Sequence, residues 1–239
     1  MRWDYPVYDP GAGEVTEGTS SRAARKALSR EEAIRYIAGD DPRPLLVLRE
    51  CKVCNGTDEA LLKGGSDNEK TFLMSAWFHC VKLPVDVMEE NHPFHNLFVE
   101  KKPEHLFVCS VDGSEHEPLQ SQTSRTELWE SMRDAIAREY KDKPDRPLKT
   151  ITALLDKLDD ADRRVRELTE RRDEILEEDG PDSRKLPKLE KKVEKEEKAL
   201  AKLKADVQKA YQIELRRQKT EARRKAEEAA AGQGSPAGS

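Results

Sequence analysis

The sequence predicts an α/β domain followed by an all-α antiparallel coiled-coil hairpin, and three observations predict it. Aromatic material is confined to the first part: every Trp, Phe, Cys and His precedes residue 142, and Tyr211 is the only aromatic beyond it. The hydrophobic pattern changes at Lys143-Pro144-Asp145-Arg146-Pro147, from short apolar runs bounded by turn residues to sustained heptads. Charged residues make up 38% of the chain and aromatics 5%, with a mean hydropathy of −0.88. One uniform core over all 239 residues is thereby excluded.

Residues 1–28, rich in Gly, Pro, Ser and Thr, predict a flexible arm. Ser29 and Glu32 have the spacing of a capping box, so a helix follows over Arg30–Ala38 with Ala33, Ile34 and Ile37 on one face, stopped by Gly39. The run Pro44–Leu48, bounded by turn signals, predicts a fully buried central strand. The pair Cys51-Lys52-Val53-Cys54 comes next, then a short helix over Asn55–Lys63 ended by Gly64-Gly65. A second strand is predicted over Thr71–Leu83, closed by Pro84, and a loop with a short helix over 85–102. His105–Val111 predicts a third strand ending at the turn Asp112-Gly113, and Glu117–Gln120 an edge strand. Ser124 caps an amphipathic helix, Arg125–Lys141, with Leu128, Met132, Ala135, Ile136 and Tyr140 on its buried side.

Residues 143–147 predict a linker, and residues 148–230 an antiparallel hairpin turning near 179–183. In its first arm Ile151, Leu158, Val165 and Arg172 occupy position a, and Leu154, Ala161, Leu168 and Ile175 position d. In the second, Leu186, Val193, Leu200 and Val207 occupy a, and Leu189, Glu196, Leu203 and Ala210 occupy d. Closure at the Asp179–Ser183 breaker sets Leu168 near Val193 and predicts a contact of Arg172 with Glu190 or Glu194. Residues 231–239 predict a disordered tail.

The chemistry concentrates at the cysteines. A CxxC pair after a buried strand and before a helix sets its first thiol at the helix N-terminus, where backbone N–H groups and the helix dipole stabilise a thiolate. The second thiol, one turn on, is within reach of a mixed disulfide on the first. Glu50 should raise the Cys51 pKa and Lys52 should lower it. A metal site is the alternative: Cys51, Cys54, Cys80 and Cys109, with His79 and His105, supply tetrahedral zinc ligands. Against it, Cys80 and Cys109 sit singly inside apolar runs and read as small buried hydrophobes. His92, His95 and His116 lie in loop-like stretches and read as solvated or locally hydrogen-bonded. No glycine-rich phosphate loop and no nucleophile elbow is present.

On the strand Pro44–Leu48, the Cys51-Lys52-Val53-Cys54 motif, the Asp112-Gly113 turn and the helix Arg125–Lys141, residues 29–142 resemble the thioredoxin-like superfamily. The resemblance implies a central sheet flanked by helices, Cys51 as nucleophile, Cys54 as resolving thiol, and a cis-proline just before the third strand. Pro103 fits that place, with Pro93 as its competitor. Glu50 departs from the family, whose reductases carry an aromatic residue there. The function so implied is thiol–disulfide oxidoreduction by a redox-active disulfide, with no dissociable cofactor and no metal, the hairpin docking a protein partner or an oligomer contact. The alternative is a non-catalytic scaffold with a vestigial thioredoxin-like domain, in which the coiled coil carries the function.

Net charge is −5, with 43 Lys and Arg against 48 Asp and Glu. That balance gives no footing for nucleic acid or an anionic membrane, and the basic stretch 216–225 is interspersed with acidic residues. No apolar run approaches the ~20 residues of a membrane span, and the first residues lack a signal-peptide core. A cytoplasmic protein is the expectation.

Overall fold

The computed structural model describes residues 1–8, 26–50, 68–98, 103–120 and 123–216. The chain divides into two units, residues 1–144 with the segment from 214 onward, and residues 145–213.

In the first unit helix α1, Arg30–Ala38, starts where its sequence says. The Glu32 N–H donates to Ser29 Oγ at 3.2 Å and the Ser29 N–H donates to Glu32 Oε2 at 2.9 Å, closing the capping box. Strand β1, Leu45–Arg49, is buried along its first four residues, as a strand covered on both faces must be. Helix α2 spans Glu69–Ser75 and strand β2 His79–Leu83. Two 3₁₀ turns, Val85–Met88 and His95–Leu97, follow. Strand β3 is Leu106–Cys109, strand β4 Glu117–Leu119, and helix α3 Arg125–Glu139.

The sheet runs β2-β1-β3-β4. β1 is parallel to β2, with Leu45 beside His79 and Arg49 beside Leu83. It is antiparallel to β3, with Leu45 beside Cys109 and Leu48 beside Leu106, and β3 is antiparallel to β4. One face, carrying Leu45, Val47, Val81, Leu83 and Phe107, packs on Ala33, Ile34 and Ile37 of α1 and on Phe94, Leu97 and Phe98. α3 lies against β3 and α2. In the turn after β3, Gly113 has φ +80°, and a Cβ there would stand 3.1 Å from Ile34 Cγ1, so any other residue would strain the backbone and crowd Ile34.

Two expectations are corrected in this unit. Thr71–Leu83 is not one strand: its first half is α2, and only His79–Leu83 extends. Parallel strands need a crossover, and α2 supplies part of it. With Thr71, Leu73, Met74 and Ser75 all buried, its sequence shows no alternation to separate it from the strand beyond. Residues 1–8 of the arm are also seated. The Asp4 N–H donates to the Cys80 carbonyl and the Lys82 N–H to the Asp4 carbonyl, both at 2.8 Å, so Asp4 extends the sheet beyond β2. The Tyr36 hydroxyl donates to the Val7 carbonyl at 2.8 Å, and Tyr8 meets the Tyr36 ring edge-on.

The second unit is a helical hairpin. Helix α4 is Asp145–Asp179 and helix α5 is Leu186–Tyr211, packed along each other. Residues 145–147, expected as linker, are its first turn, where Pro147 lacks only an N–H that has no helical partner. All sixteen a and d residues named from the sequence are buried or half-buried. Gly180, at φ +77°, opens the turn, and Lys185 Nζ bonds Asp179 Oδ2 at 2.8 Å across it. The polar core positions resolve differently from expectation. Arg172 pairs with its neighbour Asp173 at 2.8 Å, while Glu196 is met by Arg164 at 3.1 Å. Arg164 precedes the a residue Val165, so its guanidinium reaches the seam from the flank.

The second arm was expected to continue to 230, but α5 ends at Tyr211. The chain then rejoins the first unit: Leu215 bridges to Tyr140, the Lys141 N–H donates to the Glu214 carbonyl at 3.0 Å, and Arg216 Nε donates to the Tyr140 carbonyl at 2.8 Å. Among the described residues no helix is long and apolar enough to cross a membrane.

Candidate functional site

Cys51 and Cys54 lie outside the described residues, as does the short helix expected over Asn55–Lys63. The structure describes the frame on either side of them. β1 and β2, being parallel, end together, and the Glu50 N–H donates to the Leu83 carbonyl at 2.9 Å. Beside them the chain enters β3, where the Arg49 N–H donates to the His105 carbonyl at 2.9 Å. Pro103, half-buried, and Glu104 therefore precede β3 at the sheet end where Glu50 leads into the CxxC motif. Pro93, the competing proline, is elsewhere: it is buried and accepts the Leu28 N–H at 2.9 Å, ahead of α1.

The expected effects of Glu50 and Lys52 on Cys51 fall outside the described residues, but Glu50 itself is described. Glu50 is not a lone carboxylate. Its Oε1 is 2.7 Å from Lys82 Nζ, on the residue of β2 that pairs with Leu48. Lys82 Nζ also stands 6.0 Å from the Tyr5 ring centre. The paired ammonium opposes the field of the carboxylate.

Behind this end lies a polar network that the sequence does not announce. Glu104 is 2% exposed. Its Oε1 is 2.9 Å from His116 Nε2, and His116 Nδ1 is 2.9 Å from Arg30 Nη2. A guanidinium can only donate, so Nδ1 accepts and Nε2 carries the proton given to Glu104. Arg30 also donates to the Leu97 carbonyl, and Arg49 Nε to the Glu104 carbonyl at 3.2 Å with its guanidinium over Phe98. Burial alone would raise the Glu104 pKa. The bonds from His116 and from its own N–H, with the Arg30 charge nearby, outweigh burial and hold it below the ordinary carboxylate value. His116 is thus a bridging group and not a solvated loop residue.

Cys80 and Cys109 occupy the opposite end of the strands and opposite faces of the sheet. Cys109 shares a face with Leu45, and Cys80 with Leu46. Both are free and buried, and burial pushes each thiol up to about 12. They are packing residues, unable to converge on one ion. Among the described residues no three His, Cys, Asp or Glu side chains form a metal-binding group. Of the paired histidines, His92 spends its Nδ1 on the Phe94 N–H at 3.1 Å.

At that far end a cleft of about 620 Å³ is lined by Trp3, Asp4, Arg43, Phe72, Phe78 and His79 among others. Within it Arg43 grips Asp41 through Nε and Nη2, and His79 Nε2 lies 3.2 Å from Asp4 Oδ2. No family model, no curated protein and no solved structure matches this chain.

Proposed function

We propose that residues 29–142 form a thioredoxin-like domain that carries thiol–disulfide exchange through Cys51 and Cys54. The observation that supports this most is the four-stranded mixed sheet, order β2-β1-β3-β4, packed with helices, in keeping with the central sheet flanked by helices that the resemblance implies. It leads β1 into the CxxC motif at the shared end of two parallel strands, where ligand crevices form in open α/β sheets. In the proposed reaction the Cys51 thiolate attacks one sulfur of a substrate disulfide, forming a mixed disulfide and releasing a substrate thiolate. Cys54, deprotonated, then attacks the Cys51 sulfur, releasing the second substrate thiol and leaving Cys51–Cys54 oxidised. An external dithiol returns the pair to the reduced state. Pro103 shapes the rim that faces the substrate, and the hairpin docks a protein partner.

The test is disulfide reduction with an insulin-type substrate and a dithiol reductant. Cys51→Ser should abolish it and Cys54→Ser should trap mixed disulfides. A Cys51 that alkylates no faster than free cysteine sinks the reading. The competing reading, a non-catalytic interaction protein, is favoured by Glu50 standing where family reductases carry an aromatic residue. It expects the wild type to be inert in the same assay.

A further inference from the structure

The hairpin sorts part of its surface charge into two rows, and its heptads turn both rows away from the seam. Between Lys188 and Lys209 of α5, positions c and f hold Lys188, Lys191, Lys195, Lys198, Lys202 and Lys209, all exposed, with Ala205 in the remaining place. Between Asp156 and Glu177 of α4 the same positions hold Asp156, Asp160, Glu167, Glu170, Glu174 and Glu177, all exposed, with Arg163 in the remaining place. Flanking positions carry both signs on each helix, so the segregation is confined to these rows. Like charges three and four residues apart repel along a helix. Little relieves that repulsion. Among the described residues Lys198 pairs with Glu194 and Asp160 with Arg163, and no other member of either row has an ion-pair partner.

The rows cannot neutralise each other inside one hairpin, because the c and f faces of its two helices point away from the shared seam. They do match between copies. Each spans 21 positions in alternating steps of three and four residues, about 32 Å of helix. The helices are antiparallel with Arg164 against Glu196, so the rows stand at nearly the same height, offset by about one turn. A second hairpin laid alongside in the same orientation and shifted by that turn sets Lys188 against Glu177 of the second copy, and Lys209 against its Asp156. A phosphate backbone would meet the lysine row but leave an acidic row of equal length without a counterpart. We propose that the hairpin self-associates edge to edge, the lysine row of α5 in one copy docking on the acidic row of α4 in a second copy of this chain. The contact is heterologous, so it extends copies in a line or closes them into a ring. It rests on the docking role of the hairpin and is independent of the thiol chemistry, which the disulfide-reduction assay tests separately.

The experiment is light scattering on the full chain under a dithiol reductant, which keeps disulfide-linked dimers out. Exposed pairs are individually weak, so the protein is followed up to about 1 mM. At about 0.01 M salt, where charges act over about 30 Å, the weight-average mass should climb from the 27.2 kDa of one chain toward about twice that value. At about 1 M salt, where their reach is about 3 Å, it should stay at one chain. Lys191→Glu with Lys195→Glu and Lys198→Glu should abolish the rise, and so should Glu167→Lys with Glu170→Lys and Glu174→Lys. The two variants mixed in equal amounts should associate. All six changes in one chain exchange the signs of the facing segments, leave the net charge at −5, and should restore self-association. A wild-type mass that never rises, a rise that survives either set of reversals, or a six-change chain that stays single overturns the proposal. So does a DNA duplex bound through the lysine row by a chain that does not self-associate, an outcome that assigns the row to phosphates.

Discussion

Replacing Glu104 by glutamine separates its charge from its shape. The wild-type carboxylate accepts from His116 Nε2 and is linked through that ring to Arg30. Glutamine keeps an oxygen to accept the same proton but loses the charge, so the loss is the charge-assisted share of a bond worth about 1.5–3 kcal/mol, roughly 1–2 kcal/mol. Glu104→Ala removes the acceptor and leaves the His116 Nε2 proton without its partner, which costs about 1–3 kcal/mol. The pH dependence has a definite sign. The folded Glu104 carboxyl lies below its ordinary value of 4.5. Its contribution is therefore fully present above about 4.5 and lost as pH falls through the lower folded value. Urea unfolding of wild type and Glu104→Gln should give a constant gap from pH 7 to about 5, closing progressively below 4.5. At about 2–4 °C per kcal/mol for a chain of this size, the gap at neutral pH amounts to several degrees in Tm. Equal stabilities at pH 7, or a gap that persists undiminished at pH 3, would refute the charged network.

Four further outcomes are expected. Cysteines introduced at Leu168 and Val193 should form a crosslink within one chain at any protein concentration; a crosslink only between chains means the helices pair intermolecularly. Arg164 and Glu196, an exposed ion pair, should couple by no more than about 1 kcal/mol in a double-mutant cycle, and the coupling should shrink in high salt. Phe107→Ala, at a fully buried position, should destabilise by about 3–5 kcal/mol in urea melts. Cys80 and Cys109, whose thiols burial pushes up to about 12, should resist alkylation at pH 8 until the protein unfolds, as read by mass spectrometry.

Where local chemistry decides a structure, the sequence was sufficient. The Ser29 and Ser124 caps each need one hydroxyl and one glutamate three residues on, and both boxes form. The hairpin seam follows from heptads whose apolar residues have only each other to pack on. Legibility ended where partners are distant. Arg30 and His116 are 86 positions apart, and no periodicity links either to Glu104. The seating of Asp4 rests on main-chain bonds to a sheet edge, and main-chain bonds leave no mark on side-chain composition. α2 was hidden for the opposite reason. A helix whose polar residues Thr71 and Ser75 are themselves buried loses the contrast on which periodicity depends. In the hairpin, the contact expected of Arg172 with Glu190 or Glu194 gave way to a pair with its own neighbour Asp173, which heptad spacing does not reveal.

The return of the chain at Glu214–Arg216 has a consequence for how the protein is made. Leu215 is buried and the Tyr140–Lys141 backbone at the end of α3 is bonded by residues 214–216, so the first unit receives this piece only after the whole hairpin has been synthesised. On the ribosome the hairpin can close from its own local contacts while the sheet unit, already assembled through α3, waits with an open backbone edge at Tyr140. A stalled or cleaved chain ending within α5 would leave that edge unsealed, exposing main-chain groups that the completed chain occupies with its own residues.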